Sequence, residues 1–188
     1  MRWPVVVIMA YVVLGLEAAV KPALAISPSG LRFTPSFIVP FLTFVALSGP
    51  TVPVLWVAVV LGMIMDLYSP RDTGTLVVLG PYALGYMAAA YLVLVMRGLM
   101  FRRSPLSMMF LSILGVALSE LVVVAIMSFR ALYPDPTSWS AGAELASRML
   151  GALYTVMTAG VLSIILFPLT PLFGFQDIHS RRFARKAR

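Results

Sequence analysis

Residues 33–65 read FTPSFIVPFLTFVALSGPTVPVLWVAVVLGMIM, 33 positions without a charge between Arg32 and Asp66. As one helix, at about 1.5 Å per residue, this run would reach roughly 50 Å, well beyond a hydrocarbon core of about 30 Å. Ser48-Gly49-Pro50-Thr51-Val52-Pro53 falls in its middle. Proline removes backbone donors and Gly-Pro favours a turn, so two short helices are predicted, about Phe33 to Leu47 and Pro53 to Leu67. Whether this hairpin crosses fully or is re-entrant, it returns to the side from which it started.

The rest of the chain has the same character. Of 188 residues, 61% are hydrophobic and 11% charged, against about 25% charged in a soluble domain, and the mean hydropathy is +0.98. The expected fold is an all-α integral membrane protein, a bundle of about six transmembrane helices forming one domain over residues 1–175, followed by a basic cytoplasmic tail over 176–188. Besides the hairpin, the predicted spans are about Pro4 to Leu24, Thr75 to Met96, Ser104 to Phe129 and Ala146 to Leu172. The end of the first, Lys21-Pro22-Ala23-Leu24-Ala25, imitates a signal-peptidase site. Glu17 and Lys21 intrude there and everything downstream is also apolar, so the segment is read as a retained span. Tyr133 and Trp139 suit an interfacial connector between the last two spans.

The net charge of +7 raises the question of nucleic acid, but the basic residues sit at the ends of apolar runs, where they set membrane orientation. With six spans and the amino terminus inside, the inner set is Arg2, Arg97, Arg102, Arg103, Arg181, Arg182, Arg185, Lys186 and Arg188. The outer set is Lys21, Arg32, Arg71, Arg130 and Arg148. Nine against five predicts both termini in the cytoplasm.

Three acids fall within or at the edge of the predicted spans: Glu17, Asp66 and Glu120. An ionised acid in hydrocarbon costs several kcal/mol, so such side chains face a protein interior, a partner or water. On this topology all three lie in the outer half of the membrane. Lys21, four residues after Glu17, is a partner for it in the favourable helical order, and Arg148, entering the last span, is a partner for Glu120. The acids either organise an outward-facing site or are neutralised structurally, with Asp66 capping a loop. Ser147, Gly151, Thr155, Ala159 and Ser163 recur every fourth residue, a ladder that lets another backbone approach, and intramolecular packing is its expected use. Ser112, Gly115 and Ser119 form a shorter analogue.

Enzyme chemistry finds no foothold. There is no cysteine and one histidine, His179, in the tail. Phosphate-binding glycine loops, GxSxG and HExxH are all missing. No catalytic residue, metal ligand or cofactor is assigned.

A family resemblance rests on Thr34-Pro35-Ser36-Phe37, then Gly62-Met63-Ile64-Met65-Asp66-Leu67-Tyr68-Ser69, Asp72-Thr73-Gly74-Thr75 and Gly80-Pro81-Tyr82-Ala83-Leu84-Gly85-Tyr86. This order of a glycine, an apolar stretch, an Asp-Leu pair and a polar loop with glycine before the next helix resembles the rod shape-determining protein MreD family, over about sixty residues. The resemblance implies a non-enzymatic subunit of the bacterial rod-shape or cell-wall elongation complex in the inner (cytoplasmic) membrane. Its implied fold is similar to the substrate-binding membrane component of energy-coupling-factor transporters. Implied partners are the single-span scaffold MreC and, through the complex, RodA, its transpeptidase partner and the filament protein MreB. Asp66, Leu67, Arg71, Asp72, Thr73 and Gly74 are the expected partner-binding residues. The competing expectation is a solute-binding component of a transporter. That reading predicts an enclosed outward pocket near Glu17 and Glu120 with aromatic walls, whereas a scaffold subunit predicts a collapsed interior and an apolar groove facing lipid.

Overall fold

A computed structural model describes residues 1–26, 33–68, 79–99, 104–130 and 141–175. Six α-helices follow one another: α1 (Trp3–Ala19), α2 (Ile38–Ser48), α3 (Thr51–Tyr68), α4 (Pro81–Met96), α5 (Pro105–Arg130) and α6 (Ala141–Leu169), the last continued by a 3-10 turn at Thr170–Phe173. Among the described residues the only extended pairing is an isolated antiparallel bridge between Ile26 and Phe33. The connector carrying Tyr133 and Trp139, the Arg102-Arg103 loop and the tail over 176–188 lie outside the described residues.

The helix boundaries follow from backbone chemistry. The break in the long apolar run falls at Gly49-Pro50, as the turn signal requires. α1 stops at Ala19 rather than near Leu24, giving way to turns around Pro22, which has no N–H to continue the ladder. α2 starts only at Ile38, after Thr34-Pro35-Ser36, which forms no regular element; proline disfavours helical backbone in the residue before it. Gly80 precedes α4 with φ of 127°, a conformation that favours glycine, and Pro81 takes the first helical position.

The helices alternate in direction. Asp66 near the end of α3 meets Tyr82 and Ala83 at the start of α4. Farther along, Gly85 of α4 lies against Ser119 of α5, and Gly160 of α6 against Met109 of α5. The ends also meet: the terminal ammonium of Met1 donates to the carbonyl of Gly174 at 3.0 Å, and Arg2 N–H to that of Phe173 at 2.8 Å. Both ends of the described chain therefore share one end of the bundle.

Three stretches, Thr51–Tyr68, Pro105–Phe129 and Gly142–Phe173, are long and apolar enough to cross a membrane, three rather than the expected six. The other three helices are shorter; α2, with 11 residues, rises only about 16 Å, half a hydrocarbon core. Its position compensates for its length. Every residue from Ile38 to Leu47 is buried, so α2 is the axis around which the other helices pack. α3 displays the inverse arrangement. Its buried stripe runs through Val54, Val57, Ala58, Leu61, Gly62 and Met65, while Trp56, Val60, Met63 and Leu67 are exposed on the opposite side. A helix apolar on both faces needs lipid or protein around it.

Candidate functional site

A buried helix embedded in protein has four unsatisfied N–H groups at one end and four unsatisfied carbonyls at the other. For α2, neighbouring helices supply partners at both ends. Glu17, buried near the end of α1, accepts the backbone N–H of Phe37 at 2.7 Å and of Ile38 at 3.4 Å through Oε2. Its Oε1 takes the Lys21 ammonium at 2.7 Å. At the other end the Arg97 guanidinium donates to the carbonyls of Ala46 at 3.2 Å and Gly49 at 2.7 Å, and to Thr51 Oγ1 at 3.3 Å. An anion at the amino end and a cation at the carboxyl end both complement the helix dipole.

Asp66 plays the corresponding part for α4. Its Oδ2 accepts the N–H of Gly80 at 2.8 Å and of Ala83 at 3.2 Å, and its Oδ1 that of Tyr82 at 3.0 Å. The close approach depends on Gly62, one turn earlier, where a Cβ would stand 2.4 Å from the Cα of Ala83. Gly62 and Asp66 thus act together, the glycine admitting the start of α4 and the carboxylate capping it. Asp66 is buried with both oxygens engaged, the capping alternative of the two that the sequence leaves open. Leu67 beside it is exposed. Arg71, Asp72, Thr73 and Gly74 lie outside the described residues.

The third acid is not a cap. Glu120 of α5 pairs with Arg148 of α6, which also binds Glu144 through Nε at 2.8 Å and donates to the Tyr82 hydroxyl at 3.0 Å. Below this cluster the small-residue ladder faces inward. A Cβ on Gly151 would meet the Thr34 carbonyl at 2.9 Å. Thr155 Oγ1 accepts the Ser36 N–H at 3.0 Å, and the Thr158 hydroxyl donates to the Ser36 carbonyl at 2.7 Å. Ala159 and Ser163 are buried, and Ser147 lines a cavity. α6 therefore satisfies both backbone groups of Ser36 in the irregular strap before α2.

That cavity, of about 170 Å³, opens between the strap and the first halves of α4 and α6. Phe33, Tyr82 and Tyr86 supply its aromatic walls, and Lys21, Glu120, Glu144 and Arg148 its charges. It lies beside Glu120 with aromatic walls, but it is open rather than enclosed and Glu17 does not line it. It is smaller than the roughly 300–1,000 Å³ of sites for drug-sized ligands. Composition and spacing give no sign of the roles of Arg97 and Thr158, and Tyr82 and Tyr86 enter only as part of the resemblance. Arg97 was counted only as a membrane-orienting charge, although a short buried helix ending at Ser48 needs a cation to meet its carbonyls.

No family model matches the chain, and no curated protein or solved structure matches it either. Among the described residues no group of histidine, cysteine or carboxylate side chains is arranged to hold a metal ion.

Proposed function

We propose that the chain is a non-enzymatic membrane subunit of the MreD type, working in the bacterial inner membrane within the complex that organises cell-wall elongation, and binding an MreC-like single-span scaffold. Contacts with RodA, its transpeptidase partner and MreB follow through that scaffold. The chain crosses six times, with both termini in the cytoplasm; the shared end of the bundle at which Met1 meets Gly174 supports an even number of crossings. The observation that carries the functional reading is the α3–α4 junction. The residues of the resemblance, Gly62 and Asp66, lock two helices together and leave Leu67 exposed near the end of α3.

Copurification from detergent with a single-span, periplasmically folded partner tests this. The wild-type chain is expected to be recovered, and Leu67→Arg to weaken recovery while the chain still inserts and folds. If the wild-type chain is not recovered with such a partner, the proposal fails. Equal recovery of wild type and variant removes Leu67 as a contact.

A second reading, a solute-binding membrane component, is favoured by one observation: the polar, aromatic-walled cavity beside Glu120 and Lys21. A scaffold subunit with a fully collapsed interior would not need it.

A further inference from the structure

We propose that the cavity beneath the Arg148 cluster binds a small zwitterion, a group carrying one ammonium and one anionic moiety. The inference deepens the solute-binding reading and rests on it. At about 170 Å³ the cavity is below the roughly 300–1,000 Å³ of sites for drug-sized ligands, so the occupant is small.

Its charge pattern narrows the chemistry. Among the described lining residues there are two acids, Glu120 and Glu144, and two bases, Lys21 and Arg148. They are not spread evenly. Lys21 lies in the turn after α1, where Glu17 neutralises it and accepts one of its three N–H groups, leaving two donors. Arg148 lies on α6 between the two acids, which already neutralise it. An anion alone would gain hydrogen bonds from the Glu17-paired Lys21 but meet the net negative charge that two carboxylates leave around Arg148. A cation alone would meet the reverse. A zwitterion gains at both walls, its anionic group at Lys21 and its ammonium toward Glu120 and Glu144, with Tyr82 and Tyr86 also lining the cavity. Both a free amino acid and the head group of phosphatidylethanolamine have this chemistry.

The absence of cysteine makes the test direct. Ser147→Cys places a thiol at the cavity wall of the full-length chain, and its labelling by a membrane-impermeant maleimide reports access. Labelling is expected, and glycine or phosphoethanolamine should slow it in a saturable way, whereas ethanolamine and acetate should not. Glu144→Gln should raise the concentration needed by about tenfold. In nanodiscs, protection by phosphatidylethanolamine but not phosphatidylglycerol, without added solute, identifies a lipid source. Protection only by added solute identifies a free one. If the thiol is labelled but no zwitterion protects it, or single-charge ions protect equally, the zwitterion proposal is overturned and a solute site of other chemistry stands. If the thiol is not labelled in a folded chain, both fall.

Discussion

Glu17 and Arg97 never touch, yet each holds one end of α2: a carboxylate receives its first N–H groups, and a guanidinium its last carbonyls. With Ile38 to Leu47 buried, water cannot replace Glu17 at the amino end, whereas the part-buried carboxyl end leaves Arg97 more replaceable. Glu17→Ala also strands Lys21, whose side chain is 31% exposed. The expected loss is roughly 2–4 kcal/mol for Glu17→Ala and about 1–3 kcal/mol for Arg97→Ala. The two sites stand about 16 Å apart along α2, so the double variant should add within about 0.5 kcal/mol. Equilibrium unfolding in mixed detergent micelles measures all three. Strong non-additivity would mean that α2 melts as a unit once either end is released.

A different mechanism governs the glycines. At Gly62 a Cβ would press on the backbone of Ala83, and at Gly85 on the carbonyl oxygen of Ser119 at 2.8 Å; backbone cannot rotate away as a side chain can. Gly62→Ala and Gly85→Ala should each cost about 1–3 kcal/mol by forcing α3, α4 and α5 apart. Gly15→Ala is the control. Nothing lies within 4 Å of its Cβ position, so better helix propensity should leave stability unchanged or raise it by up to about 1 kcal/mol. Thermal shift of the purified variants gives the order.

At the α4 cap the acceptors can be removed one at a time. Asp66→Asn keeps one acceptor oxygen, whereas Asp66→Ala leaves the N–H groups of Gly80, Tyr82 and Ala83 without their partner. The alanine variant should therefore be the less stable by about 1–3 kcal/mol. Gly80→Ala, at φ of 127°, should cost a similar amount through backbone strain while leaving the carboxylate intact. Hydrogen exchange separates these effects: loss of the cap should speed exchange in the first turn of α4 before the rest of the helix.

Much of the architecture is legible in residue order. The uncharged run from Phe33 to Met65 cannot be one helix, and Gly49-Pro50 shows where it divides; Glu17 with Lys21 and Glu120 with Arg148 are pairings that charge and spacing suggest. The second oxygen of Glu17 is a different matter. Its partner, Phe37, is twenty positions away, brought back by the Ile26–Phe33 bridge and the Thr34–Ser36 strap, neither of which has a periodic signature. Asp66 stays open between contact and cap for a related reason. A carboxylate at the end of a predicted span looks equally like a surface group and a cap until the approach permitted by Gly62 is known. Helix length was least visible, because hydropathy marks apolar residues without distinguishing those sheathed by protein, as in α2, from those facing lipid.

Around Arg148 the order of variant effects should reveal an asymmetry. Glu120→Gln leaves the guanidinium bound to Glu144 and the Tyr82 hydroxyl, so its loss is limited. Arg148→Met removes the cation shared by two carboxylates, leaving Glu120, with 18% of its side chain exposed, facing Glu144 across a polar cavity. Arg148→Met should thus be the more destabilising. Adding Glu120→Gln to it should recover part of the loss, with a coupling of about 0.5–3 kcal/mol in a double-variant cycle measured by unfolding in micelles. A coupling near zero would mean that solvent in the cavity screens the pair, and that Arg148 acts on the fold through Tyr82 and the start of α4 instead.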